Sequence, residues 1–283
     1  MAWTVNLTNN SLNAQVLNAI ADGSFSYQEV LQLLNTVAVG GLTPSELGDL
    51  QTIDTNCAEL FASDYVKTIT HNVIYGNKAN TTWWGGKKLA VAVPQGNLTG
   101  ATSEADAQRL VAEWFLGTDL PIAVAGGDTA TGKASTSSFN YSNATGSLYE
   151  NGVAASDVTQ GSAGTCYFLA AIGAIANANP SYITNAITDN GNGTYGVRLY
   201  LDGVAIYTTV NAALPTSLGK LPFAGNVTKS TTGELWVALM EKAYAQLNAQ
   251  VNVQGETSWK GESSYQAIEG GLKWTPEARQ FNG

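Results

Sequence analysis

The sequence is short of charge and nearly without histidine. Asp, Glu, Lys and Arg make up 12% of the 283 residues, and His71 is the only histidine. The polar surface must therefore come largely from Asn, Thr, Ser and Gln. Basic residues are outnumbered 13 to 22, for a formal charge of −9. That balance argues against nucleic acid as a general partner, because phosphate binding needs a basic face. It is compatible with a divalent cation. No apolar run approaches membrane-spanning length. Met1-Ala2-Trp3-Thr4 lacks the basic segment and apolar stretch of a signal peptide, so a cytoplasmic location is the default expectation. There are two cysteines, Cys57 and Cys166. One disulfide is arithmetically possible, but Cys57 reads as a small buried residue on a helix.

Hydrophobic residues account for 44% of the chain, enough for a sizeable core, and the length suits two compact domains. Residues 11–76 read as helical. Val16–Ile20 and Val30–Leu34 look like short amphipathic helices separated by Ala21-Asp22-Gly23. Thr43-Pro44-Ser45-Glu46 carries a cap, a first-turn proline and the second half of a capping box. Leu47, Leu50, Cys57, Leu60 and Phe61 then recur at helical spacing and predict one buried face. The pattern breaks over 77–86. Ser103-Glu104-Ala105-Asp106 starts a further helix running to about Leu116. Trp83, Trp84 and Trp114 are read as core residues.

Residues 123–147 are rich in Gly, Ala, Ser and Thr and read as a linker or long surface segment. The expected domains are 1–145, a helical region that could be a pro-segment or regulatory domain, and 146–283. The second part changes texture. Cys166–Ala178 is an apolar, Ala-rich helix. Tyr195, Val197, Leu199 and Leu201 alternate, Asp202-Gly203 marks a hairpin turn, and Val204, Ile206, Thr208 and Val210 alternate again. Leu235–Asn248 is helical.

The chemistry-bearing segment runs from Asp157 to Ala171. A Gly-rich turn, Gln160-Gly161-Ser162-Ala163-Gly164-Thr165, leads straight into a helix whose first residue is Cys166. A helix N-terminus offers unpaired N–H groups and a positive dipole end, and both stabilise a thiolate. Gln160 could donate to an oxyanion together with the Cys166 backbone N–H. The competing reading is a buried cysteine opening a core helix. The Gln-Gly turn and the following aromatic favour a nucleophile.

Gln160–Ala171 resembles the active-site cysteine motif of papain-fold proteases, specifically the calpains. In that family a Gln-Gly turn, Gly-x-Cys-Trp and a Leu-Ala-Ala helix occur in this order; here Tyr167 replaces the Trp. Gly233–Ala245, Leu214-Pro215-Thr216 and Tyr265-x-Ala267-Ile268-x-Gly270-Gly271 also resemble calpain segments, so the likeness covers about 148–271. Residues 1 to about 145 show no such likeness; with their helical pattern, the resemblance implies an α+β fold, a helical N-terminal region followed by the mainly helical, cysteine-bearing papain-like subdomain with a β-hairpin. It implies a thiol endopeptidase acting on protein or peptide substrates. It also implies Ca²⁺ held by the carbonyls of Glu150 and Gly152 and the carboxylates of Asp157 and Glu234. Taken alone, Asp157 is a turn carboxylate and Glu234 a first-turn residue capped by Thr231 or Thr232. Asn211-Ala212-Ala213 stands where calpains often carry acidic residues.

A cysteine protease needs a His base and an Asn or Asp to orient it. Calpains carry them downstream of the cysteine. His71 lies upstream, without the family's surroundings, and reads as structural or solvated. The expectation is a second chain or C-terminal segment supplying His and Asn, with Arg279–Gly283 as an accessible, autoprocessed end of a matured zymogen. A truncated sequence is one alternative. A catalytically silent, calcium-responsive binding module is another, and a transferase on the same fold is a third.

Overall fold

The computed structural model describes residues 6–86, 92–125, 137–225, 233–251 and 263–269. The chain divides into two compact units, Met1–Trp83 with Val93–Leu116, and Trp84–Ala92 with Gly117–Gly283.

The first unit is helical: α1 (Asn10–Ala19), α2 (Tyr27–Ala38), α3 (Pro44–Asn56), α4 (Asp64–Ile74), a two-residue pairing of β1 (Thr82–Trp83) with β2 (Val93–Pro94), and α5 (Glu104–Trp114). Local signals set the helix starts. Ser26 and Thr43 close capping boxes with Glu29 and Glu46, and Ser63 and Ser103 accept from backbone N–H groups in their first turns. Gly23, at φ +88°, ends the turn after α1, in the left-handed region that glycine enters freely. The helix expected to continue through Cys57 and Phe61 stops at Asn56. Cys57 closes it with an N–H bond to the Ile53 carbonyl, and Phe61 stacks on Phe25 with ring centroids 5.6 Å apart. Trp114 is buried, and its indole N–H donates to Asn80 at 2.7 Å.

The second unit mixes strands and helices, so the molecule is α+β. In chain order it contains β3 (Val124–Ala125), β4 (Ser137–Ser138), β5 (Asn140–Asn143), α6 (Cys166–Ala178), α7 (Ser181–Thr184), β6 (Ile187–Asp189), β7 (Thr194–Leu201), β8 (Val204–Asn211), β9 (Ala213–Thr216) and α8 (Trp236–Val251). The antiparallel sheet has the order β6-β7-β8. Its hairpin turns at Asp202 (φ 50°) and Gly203 (φ +81°), with Leu201 opposite Val204. Two successive positive φ angles match the twist of the flanking strands.

The stretch expected as a linker takes part in this unit. Asn140 to Asn143 of β5 pair with Thr216 to Ala213 of β9, so the boundary expected at 145/146 falls inside the second unit. The small polar residues there do not build a core, but their backbone completes a two-stranded ladder. Helix α8 is buried on every side from Trp236 to Ala249. Such a helix can carry charge only where each charged group finds partners, and Glu241 and Lys242 are 1% and 0% exposed. The Lys242 ammonium donates to the Asn211 carbonyl (2.9 Å), Asn211 Oδ1 (2.8 Å) and the Ala213 carbonyl (2.7 Å). Burial pushes its pKa well down. The Asn211-Ala212-Ala213 segment, which departs from the calpain pattern, is therefore the seat of a buried lysine joining β8, β9 and α8.

Candidate active site: a thiol at a clamped helix start

Cys166 is the first residue of α6 and is exposed as a free thiol. Exposure here follows from its surroundings. The helix buries Phe168, Leu169, Ile172, Ile175 and Ala176, and Phe168 stacks on Tyr244 of α8 at 4.4 Å. That seats α6 on α8 and leaves its first residue at the surface. Cys57 is the opposite case: it is fully buried, and burial, with the Asp54 charge nearby, pushes its thiol up to about 12. The two cysteines of one sequence are thus an inert core thiol and a presented one.

The turn before Cys166 is clamped to the segment 222–225. Thr159 and Gly225 exchange N–H···O bonds at 2.9 and 3.1 Å, and Ser162 N–H donates to the Pro222 carbonyl at 2.7 Å. Gly161 lies against that backbone. A Cβ there would stand 2.1 Å from the Phe223 carbonyl oxygen, a distance no side chain tolerates. The glycine of the Gln-Gly pair is thus required by close backbone approach. Phe223 stacks in turn on Tyr265 at 4.1 Å.

Further hydrogen bonds fix the residues beside Cys166. The Thr165 hydroxyl donates to Glu241 Oε1, and Glu241 Oε2 accepts the Ala224 N–H at 2.8 Å. Gly164 N–H donates to Glu269 at 3.3 Å. The Tyr167 hydroxyl donates to the Ile268 carbonyl at 2.7 Å, so the residue that replaces the family's Trp is tied down by its own polar tip. Gln160 is at the surface and its amide donates to the Ala163 carbonyl at 3.1 Å, across the turn leading to Cys166.

The expected cation ligands are partly brought together. Glu234 accepts the Glu150 N–H at 3.0 Å and lies within hydrogen-bonding reach of Asp157. Asp157 Oδ2 accepts from Ala154 N–H (2.7 Å) and from the Trp236 indole (3.2 Å). Burial raises the Glu234 pKa, the Glu150 N–H opposes this, and the Asp157 charge adds to the rise. Gly152 sits at φ +87° in the same loop. Among the described residues no three His, Cys, Asp or Glu side chains converge as a metal cluster. The expected set has only two carboxylate side chains, the rest being carbonyls. Thr231 and Thr232, the expected caps near Glu234, lie outside the described residues, as do Gly270-Gly271 and Arg279–Gly283.

His71 belongs to the first unit. Its Nδ1 is 2.9 Å from Asp54 Oδ2, and its ring stacks on Tyr75 at 4.7 Å. It serves a surface contact between α3 and α4.

Sequence reasoning missed Glu241, Thr165 and Glu269. A signal for Glu241 existed: an adjacent Glu-Lys pair inside an apolar helix, in a chain with so little charge, needs buried partners.

Cys166 is thus an exposed thiol at a helix start, approached through a clamped Gly turn and beside buried aromatics. Comparison with known proteins shows what this stretch resembles. Residues 138–272 match the family model of the calpain family cysteine proteases. A calpain-type cysteine protease of Oryza sativa subsp. japonica is 35% identical over 127 residues, covering 44% of this chain and 5% of its own length. Calpain-5 of Caenorhabditis elegans is 31% identical over 146 residues, covering 47% and 21%. The calpain-1 catalytic subunit of Bos taurus is 31% identical over 127 residues, covering 43% and 15%. The cysteine-bearing stretch is thus calpain-like, and the chain spans only a small part of these relatives.

Proposed function

We propose that the second unit is the cysteine-bearing, papain-like half of a calpain-type cysteine endopeptidase. The observation that carries this reading is the exposed Cys166 at the start of α6, behind a turn clamped to 222–225. In the reaction, Cys166 Sγ forms a bond to the peptide carbonyl carbon. Negative charge moves onto the carbonyl oxygen, where the Cys166 N–H and the Gln160 amide donate. The thiol proton passes to a histidine, which returns it to the leaving amine as the C–N bond breaks. Water then cleaves the thioester and restores the thiol. The histidine and its Asn partner come from a second polypeptide or a further segment, since His71 is committed to Asp54 in the first unit. The chain matures by proteolysis, and the helical first unit acts as a pro-segment or regulatory region.

Calcium binds at Asp157 and Glu234 with the carbonyls of Glu150 and Gly152. The support is the juxtaposition of two carboxyl groups beside that loop: burial raises Glu234, the Asp157 charge adds to the rise, and a hard cation would relieve both. When bound, the ion supplies charge that orders the loop entering the site.

Labelling with an electrophilic peptide probe, with and without calcium, tests the enzyme reading. Modification at Cys166 that disappears in C166A is the expected result. Absence of labelling with a His-bearing partner chain demonstrably present would instead favour a silent, calcium-responsive binding module.

A further inference from the structure

We propose that Asn151 is a site of spontaneous deamidation, converted through a cyclic imide to an aspartyl or isoaspartyl residue, and that the fold singles it out from the other Asn-Gly pairs of the chain. This depends neither on Cys166 as a nucleophile nor on calcium. Four such pairs occur, 151–152, 190–191, 192–193 and 282–283, the last outside the described residues. The reaction needs only water. The Gly152 nitrogen loses its proton and bonds to Asn151 Cγ, the Cγ–Nδ2 bond breaks, and the amide nitrogen leaves as ammonia with that proton. Water then opens one of the two imide C–N bonds, giving the aspartyl or the isoaspartyl product. A glycine in the following position favours this because no Cβ obstructs ring closure.

Backbone conformation does not rank the pairs: Gly152, Gly191 and Gly193 have φ of +87°, +75° and +78°. Hydrogen bonds do. Ring closure requires an N–H that can lose its proton and a side chain that can swing over its own backbone. Gly191 N–H donates to Asp189 Oδ1 at 2.8 Å, and a carboxylate there opposes an amide anion. The Asn190 side chain donates to the Thr194 hydroxyl at 2.9 Å. The Asn192 side-chain oxygen accepts from the same hydroxyl at 2.6 Å and from Thr194 N–H at 3.2 Å. Thr194 opens β7 opposite Asn211, so both side chains are moored to the sheet. Asn151 and Gly152 are exposed, and among the described residues neither the Asn151 side chain nor the Gly152 N–H makes a hydrogen bond. Their loop is pinned on either side instead, by Glu150 N–H on Glu234 and Ala154 N–H on Asp157. A Cβ built on Gly152 meets nothing within 4 Å, so the imide has open space. Either product places a new negative charge in the loop that these two carboxyl groups hold.

The test compares each site in the folded full chain with the same site in the unfolded chain. The wild-type protein is held at mildly alkaline pH with and without denaturant. Peptide mapping by mass spectrometry follows the conversion of amide to acid, and chromatography separates aspartyl from isoaspartyl peptides. Asn151 in the folded chain should stay within about threefold of its unfolded rate, whereas Asn190 and Asn192 should slow by at least about tenfold, the worth of one or two hydrogen bonds that must open first. The product at 151 should include the isoaspartyl form, which only the imide yields. Any other ranking of the folded-to-unfolded rates, or a purely aspartyl product at 151, overturns the proposal. No variant is needed, so failure of a mutant to fold cannot obscure the result, and no peptidase activity enters the measurement.

Discussion

Adding one methyl group at Gly161 or at Gly173 should have opposite effects. At Gly161 the new Cβ meets backbone: the Phe223 oxygen at 2.1 Å, its carbonyl carbon at 2.3 Å and the Pro222 oxygen at 2.3 Å. None of these can swing aside like the end of a side chain, so the turn must separate from 222–225. Three hydrogen bonds hold that contact, two between Thr159 and Gly225 and one from Ser162 to Pro222. At about 1 kcal/mol each, their loss costs about 3 kcal/mol. At Gly173, inside α6, the nearest atom is Val158 Cγ2 at 3.7 Å, ordinary contact distance. Alanine there should stabilise by about 0.5–1 kcal/mol through its helix propensity. Denaturant unfolding of G161A, G173A and wild type measures both. Cys166 alkylation should change in G161A and not in G173A. A G161A protein within about 0.5 kcal/mol of wild type would refute the clamp, because the clash leaves no way to keep all three bonds.

Asp119 accepts the Trp84 and Gly85 N–H groups at 2.7 and 2.6 Å, yet burial pushes its pKa up to about 7 from 3.8. Between about pH 4 and 7 the folded carboxyl keeps its proton while the unfolded one has lost it, so stability should fall as pH rises through this window. A difference of about 3 corresponds to a loss of about 4 kcal/mol at most; D119N should flatten the profile, measured by unfolding across pH. K242M should cost about 3 kcal/mol in the same assay, since three part-buried oxygens lose their lysine donor. Y167F should cost about 1 kcal/mol through the lost bond to Ile268. In the calcium reading, E234Q should abolish any rise in thermal midpoint with added calcium, whereas a calcium-induced rise that survives E234Q would place the ion elsewhere.

Much of the fold was legible because its signals are local. The boxes at Thr43 and Ser26, the Asp202-Gly203 turn and the apolar run from Cys166 to Ala178 act within four residues of themselves, and the structure follows them. Sequence spacing failed where a partner lay far along the chain. The periodic reading carried one helix through Cys57 to Phe61, but Phe61 packs on Phe25 and the helix ends first. The small polar residues near 140 suggested a linker, yet strand pairing needs only backbone, and β9 supplies the mate.

The sequence by itself determined that a cysteine opens an apolar helix after a Gly-rich turn, and that this stretch resembles the calpains. Tertiary structure decided what holds the thiol in place. Gly161 against Phe223, Thr165 with Glu241 and Glu234 with Asp157 join positions 62 to 77 residues apart. No local periodicity or capping rule encodes such pairs; only the packing of α6 on α8, and the need of each buried polar group for a partner, brings them together.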